Sequence, residues 1–283
     1  YIPSSSGFLS YKDNVGEITN KGFELDLRWR VFSTNKMQLY VNGNLAANKN
    51  RIEKISEALK SYNKRVEDSY AQNALIDRKP MLKFVEGAST TSIYAMRSLG
   101  IDPQTGKEMF ISKDGTVGNK WIASENVAVG NTEPKINGSI STNFYYRGLT
   151  LDLYFTYTYG RQQYNQTLQS KIENANIEKN VDKRVFTDRW KNEGDICQFK
   201  SLKDYRETTN PTTRFVQDDN TLTFQSLSLG YELPDRIVQK LYLNKVRFSF
   251  NMNDVFRLST IRQERGLSYP FSRGYSFSLN IGI

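Results

Sequence analysis

Few residues in this 283-residue chain are of types that break bonds. Histidine is absent, which excludes Ser-His-Asp arrangements, histidine acid–base chemistry and most zinc sites. Cys197 is the only cysteine. It cannot form an internal disulfide, and without a histidine to serve it as base it reads as a small buried or loop residue. Glu24 with Asp26, and Asp188 with Glu193, have the composition of a hydrolase's paired carboxylates. Nothing in the sequence converges either pair, and solvated or cavity-facing charges explain both. Asp102, Thr105, Gly106 and Glu108 gather oxygens, but without the alternating ligands and late bidentate Glu of a calcium loop. A turn with Pro at its second position explains them better. No catalytic residue, metal or cofactor is assigned, and the chain is not expected to be an enzyme.

The residues with binding chemistry are aromatic: 17 Tyr, 16 Phe and 3 Trp. Tyr94, Trp121, Tyr164, Trp190 and Tyr205 lie in long connecting segments. There they can stack on sugar rings, meet a partner, or pack the connections together. Tyr40 and Tyr154 fall on the polar side of alternating segments, where they can line a cavity for a ligand. All seven are candidate ligand or partner contacts.

Seven segments must position them, each with the side-chain period of two that a strand imposes. Gly22 to Val31 sets Phe23, Leu25, Leu27, Trp29 and Val31 against Glu24, Asp26, Arg28 and Arg30. Met37 to Ala47, Ile136 to Tyr146, Leu149 to Tyr159, Leu222 to Tyr231 and Val246 to Met252 repeat the pattern. So does Tyr275 to Ile283, with Tyr275, Phe277, Leu279, Ile281 and Ile283 on one side. The fifth segment changes phase between Phe224 and Leu227, which predicts a β-bulge at Gln225-Ser226.

Six of the segments are 9–11 residues long, enough for a tilted strand to cross a bilayer, and Val246 to Met252 is seven. Mean hydropathy is −0.61 and no long apolar run exists, which excludes a helical membrane protein but not a barrel. The connections alternate strictly between short (33–36, 147–148, 233–245) and long (48–133, 160–221, 254–272). Antiparallel strands place all the short ones at one end, as in outer-membrane barrels. Lys49 to Val66 has helical spacing, Gln166 to Trp190 is a second helical candidate, and Ser92 to Ile111 reads as a hairpin about Asp102 to Gly106. The net charge of +9 is spread along the chain, so no nucleic-acid footprint is read from it. The predicted class is all-β: an antiparallel transmembrane β-barrel with long extracellular loops containing short helices. A soluble all-β carbohydrate-binding module is the alternative left by patterning alone.

Several stretches, in order, carry a family resemblance. They are Asn14-Val-Gly-Glu-Ile-Thr-Asn-Lys-Gly-Phe-Glu-Leu25, then Ile93-Tyr-Ala-Met-Arg97 running on to Gly100-Ile-Asp-Pro103 and Thr105-Gly106, then Asp114-Gly115. Gly130 to Lys135, Asp188-Arg-Trp190, Arg214 to Asp218, Leu227 to Pro234, Asn251 to Phe256 and Tyr269 to Arg273 follow. Together they resemble the SusC/RagA-like TonB-dependent outer-membrane transporters of Bacteroidetes. The resemblance implies a barrel of about 22 strands with a plug. Residues 1–283 would supply roughly the last third of it, with the plug and TonB box outside this chain. It also implies import of a large nutrient, an oligosaccharide or a peptide, with a SusD-like surface lipoprotein and TonB as partners and outer-membrane lipid around the strands. A passive pore or an adhesive barrel is the other membrane reading. The chain departs from the pattern in ending on Ile283 rather than an aromatic residue, and in Asp254 where the family often has Asn.

Overall fold

The computed structural model describes residues 16–72, 78–204, 207–262 and 272–283. Its elements are β1 (Gly16–Ser33), β2 (Met37–Ile55), α1 (Glu57–Ala71), β3 (Ser92–Ala95), β4 (Arg97–Ile101), β5 (Glu108–Ile111), β6 (Val117–Gly118) and β7 (Val127–Asn131). There follow β8 (Ile136–Tyr146), β9 (Leu149–Tyr164), α2 (Arg184–Thr187), β10 (Val216–Glu232), α3 (Asp235–Val238), β11 (Lys245–Ser259) and β12 (Tyr275–Gly282). They divide into a sheet unit (residues 22–48, 133–162 and 217–283) and a loop unit (49–132 and 163–216, with the start of β1). No helix among the described residues is long and apolar enough to cross a membrane.

The seven alternating segments all form strands of one sheet, in the order β1-β2-β8-β9-β10-β11-β12. The ladders β2–β8, β8–β9, β10–β11 and β11–β12 are antiparallel, and their register sets apolar residues opposite apolar ones. Tyr231–Phe248, Leu229–Phe250 and Leu227–Met252 join β10 to β11. Phe248–Leu279, Phe250–Phe277 and Met252–Tyr275 continue to β12. Leu39–Phe144 and Phe144–Leu151 do the same across β2, β8 and β9. Phe155 stacks on Phe224 with ring centroids 4.3 Å apart, and Phe224 meets Phe256 edge-on at 5.5 Å, so the apolar face also runs unbroken across β9, β10 and β11. The opposite face carries rows such as Ser228–Asn251–Ser276 and Glu232–Arg247–Asn280. On the edge strands, Phe23, Leu25, Leu27 and Trp29 of β1 and Tyr275, Phe277, Leu279 and Ile281 of β12 are each more than half exposed. A contiguous apolar sheet face of this extent needs an apolar surround or partner.

The phase change falls where the sequence places it, between Phe224 and Ser226. The register adds a detail. Between the pairs Phe224–Phe256 and Ser226–Asn253, β10 has Gln225 alone while β11 has Asp254 and Val255. The extra residue is therefore on β11, where Asp254 sits in the left-handed region at φ 52°, and not on β10 at Gln225-Ser226 as expected.

Three local expectations are corrected. The helix expected over Lys49 to Val66 begins only at Glu57. The chain up to Ile55 stays in β2 beside β1, where sheet hydrogen bonds outweigh the helical spacing of Ile52 and Ile55. Ser56 then caps α1, its hydroxyl accepting from Leu59 N at 3.3 Å. The helix expected over Gln166 to Trp190 breaks into a π-helical turn at Leu168–Glu173 and the single turn α2, because Ile172, Ala175 and Val185 fold inward against Phe199 and Phe215. The hairpin forms about Asp102 to Gly106 as β4–β5, but β3 pairs with β7 instead.

The assigned faces give a direct test. Leu153 lies in the apolar row opposite Thr142, whereas Thr156 lies on the polar face, its hydroxyl accepting from Gln225. Leu153→Arg is expected to cost about 2–4 kcal/mol in bilayer folding titrations if the position is near mid-membrane, and Thr156→Arg far less. Equal costs would overturn the facing.

Candidate functional site

On the polar sheet face, the register gathers residues that the sequence only scatters. Tyr40, Asn143 and Asp152 form one row; Asn42, Ser141 and Tyr154 form the next. Asn42 Nδ2 donates to Ser141 Oγ at 3.3 Å and to Asn143 Oδ1 at 3.2 Å. Asn143 Nδ2 donates to Asp152 Oδ1 at 2.7 Å. The amides and the carboxylate are thus fixed by one another rather than left to rotate. Beside them lies a recess of about 580 Å³ whose walls include Asp26, Arg28, Asn42, Asn44, Ser139 and Ser141. Tyr154 is 40% exposed and Tyr40 is half-buried. Two phenol rings, a guanidinium, carboxylates and ordered amides can stack on and hydrogen-bond a polar ligand. The strip offers no nucleophile poised on a base.

The loop unit is organised around Arg214. Its guanidinium takes Glu108 in a two-pronged ion pair, at 2.8 and 2.6 Å, and reaches Glu173 Oε1 at 2.6 Å. All three side chains are nearly inaccessible. Burial pulls against the charged form of Arg214, but the two carboxylates outweigh it and hold the group well above the ordinary arginine range. Glu173 also accepts from Lys200 N and Thr209 Oγ. Arg189, likewise buried, donates to the carbonyls of Val185, Lys200, Ile172 and Glu173. Burial lowers its pKa. Two guanidinium groups therefore tie together four segments: the β4–β5 hairpin, the π-helical turn, the stretch after α2, and the entry to β10. Beneath them pack Ile172, Ala175, Val185, Phe199 and Phe215.

The described loop aromatics serve this packing. Trp121 donates its indole N–H to Pro211 O at 3.0 Å and meets the Tyr70 ring edge-on at 5.3 Å. Trp190 donates to Pro103 O at 2.8 Å and lies against Gly106. A Cβ on Gly106 would stand 2.5 Å from the indole, and the backbone there has φ 70°, so two of the family-like stretches meet at a position that requires glycine. Tyr94 is buried, with the Lys83 ammonium 5.7 Å over its ring. Tyr164 packs against Phe215 at 5.9 Å, and it also lines a recess of about 350 Å³ with Pro80, Met81, Leu82, Ile93 and Gln166. Tyr205 lies outside the described residues. The oxygens of Asp102 are engaged within their own turn, accepting from Thr105 Oγ at 2.6 Å and Gln104 N at 3.0 Å, which lowers the carboxyl pKa. Burial raises the pKa of the Cys197 thiol, which donates to Phe199 O, a neutral group rather than a nucleophile.

Sequence reasoning missed the Arg214–Glu108–Glu173 cluster. Its members lie far apart in the chain, and each looks like an ordinary surface charge. The available signal was that Glu108 and Arg214 both fall in or beside the family-like stretches.

No protein-family profile matches the chain. TonB-dependent receptor P3 of Formosa agariphila is 22% identical over 266 residues, covering 87% of this chain and 25% of that protein. TonB-dependent receptor P39 of the same organism is 19% identical over 308 residues, covering 90% and 28%. This chain resembles a TonB-dependent receptor. It spans about a quarter of the length of these curated relatives. Among solved structures, the RagAB peptide importer in its open-open state superposes with a TM-score of 0.74 at 20% identity, over 100% of this chain and 30% of that one. The closed-closed state gives 0.72 at 19%, over 100% and 31%. The fold is thus that of part of an antiparallel barrel, with its sheet open between β1 and β12 among the described residues. The matched proteins are receptors and transporters.

Arg214→Ala would leave two buried carboxylates without their cation, a change expected to cost about 3–5 kcal/mol. Limited proteolysis should then cut within 163–216 while the sheet strands stay protected. A cleavage pattern like that of the parent protein would show that the cluster does not hold the loops.

Proposed function

We propose that this chain is part of an outer-membrane, TonB-dependent importer of a large nutrient, working with a SusD-like surface lipoprotein. The carrying observation is the two-faced sheet. One face is apolar and exposed across its strands; the other is polar, with a ligand-sized recess beside two tyrosines. Lipid suits the first and an aqueous, plugged lumen suits the second. The likeness to TonB-dependent receptors along 87–90% of the chain supports active import over a passive pore or an adhesive barrel. Transport needs no bond chemistry: ligand binds under a lid, and a plug moves when TonB draws on the inner-membrane proton gradient.

Oligosaccharide is the first cargo reading, because tyrosine faces and fixed amides match sugar rings and hydroxyls. Peptide is the second, supported by the likeness to a peptide importer. In either case Tyr40, Tyr154 and the recess they adjoin would contact cargo within the lumen, and surfaces of the loop unit would meet the lipoprotein.

A strain lacking the gene should lose growth on the cargo as sole nutrient, and loss of TonB should reproduce the defect. Growth on oligosaccharides and on peptides compared side by side identifies the cargo class. Tyr154→Ala and Tyr40→Ala should each weaken cargo binding by about fivefold, the scale of one aromatic contact, with outer-membrane abundance unchanged. Uptake that persists without TonB, or a protein that stays monodisperse in plain buffer without detergent, would overturn the proposal.

A further inference from the structure

We infer that the short-connection rim of the sheet is a docking surface for anionic phospholipid headgroups, with residues 233–245 as its foot. The inference rests on the membrane reading above. The rim is continuous: Arg147 N donates to Lys36 O at 3.0 Å, Glu232 N to Gly148 O at 2.9 Å, Leu233 N to Val246 O at 2.9 Å and Asn244 N to Gly282 O at 2.8 Å. Along it stand Lys36, Arg147, Arg236, Lys240 and Lys245, all exposed, against Glu232 and Asp235. Glu232 is already paired with Lys245 at 3.1 Å. The balance of the rim is therefore positive.

Apolar exposure accompanies that charge. In the connection holding α3, Val238 turns inward and is buried. Ile237, Leu241 and Tyr242 turn outward, exposed by 47%, 55% and 94%. A short basic segment with outward aliphatic and aromatic residues has the make-up of one lying at a headgroup boundary. Just before it in the chain, Tyr231 lines a recess of about 310 Å³ on the apolar sheet face, with Leu149, Leu229, Phe248 and Leu279. A lipid whose phosphate meets the rim can lay its acyl chain there.

Two backbone conformations point the same way. Tyr242 (φ 58°) ends its helical turn, and Arg147 (φ 45°) opens the tight turn completed by Gly148; both lie in the left-handed region. Glycine or asparagine adopts that conformation with less strain. Neither side chain is required by the turn it occupies. What these side chains supply at the rim is a cation, held 5.5 Å from the Tyr146 ring, and an amphipathic ring.

The test uses protein purified in detergent and two lipids with identical acyl chains, phosphatidylglycerol and phosphatidylethanolamine, with inorganic phosphate as competitor. Native mass spectrometry should show preferential retention of phosphatidylglycerol, undiminished by phosphate. The combined variant Arg147→Gly, Arg236→Gln, Lys240→Gln should lose that preference, by roughly fivefold for each basic residue removed. Tyr242→Gly relieves the left-handed strain, so its thermal midpoint in detergent should hold or rise. Its stabilisation by added phosphatidylglycerol should shrink, which a purely structural tyrosine would not produce. Equal retention of the two lipids, displacement by phosphate, or an unchanged preference in the combined variant would overturn the inference while leaving the importer reading intact. A protein that enters no bilayer would overturn both.

Discussion

The register of the seven-stranded sheet is the constraint on which everything else rests. Because side chains alternate, a slip of one residue at any ladder would carry a whole strand's apolar set to the polar side. From β2 to β9 and from β10 to β12 the apolar residues stay opposite one another, and Phe155 stacked on Phe224 links the two groups. Where β10 changes phase, the extra residue lies on β11, whose Asp254 and Val255 face Gln225 alone. The polar rows are a by-product of the same arithmetic. Tyr40, Asn143 and Asp152 are neighbours only because the apolar residues on either side of them are in step.

The loop unit solves a different problem. Long connections have little sheet to lean on, so they need interior ties of their own. Arg214 and Arg189 provide them: planar guanidinium groups with several fixed donors, able to satisfy carboxylates and main-chain carbonyls from different segments at once. A lysine in either place would supply one point charge instead of a fork. The aromatic side chains follow the same economy. Trp121 and Trp190 each cap a proline carbonyl with the indole N–H while their rings fill space, so they fasten the loops as hydrogen-bond donors and as packing. Under the proposed function, the polar sheet face, more than the loop tryptophans, is where aromatic rings would meet a ligand.

Much of the fold was legible in the chain because a strand's signal is local. Period two persists within each of the seven segments, and the alternation of short and long connections needs only counting. The level of the β-bulge was legible for the same reason, but not its strand: the extra residue lies on β11, at Asp254-Val255, rather than at Gln225-Ser226 of β10. The helical content was not. Ile52 and Ile55 have helical spacing, yet the strand beside them takes that stretch into the sheet. The run from Gln166 to Trp190 looks helical until Ile172 and Val185 find Phe199 and Phe215. In both cases a distant partner outweighs a local preference that amounts to tenths of a kilocalorie per residue.

By itself, then, the sequence determined which residues share a face, how many strands alternate, that histidine-based chemistry is excluded, and which family the ordered stretches resemble. These properties depend on residue type and spacing along one chain. Only the tertiary structure decided what meets what. It joined Glu108 and Glu173 to Arg214, seated Trp190 on Gly106, brought Tyr154 beside Asn42 and Ser141, and turned Tyr242 outward on a basic rim. Such meetings depend on register and on loop closure between residues up to about a hundred positions apart. A one-dimensional pattern does not carry that information, because many closures share the same local periodicity and differ only in which buried charges and rings are satisfied.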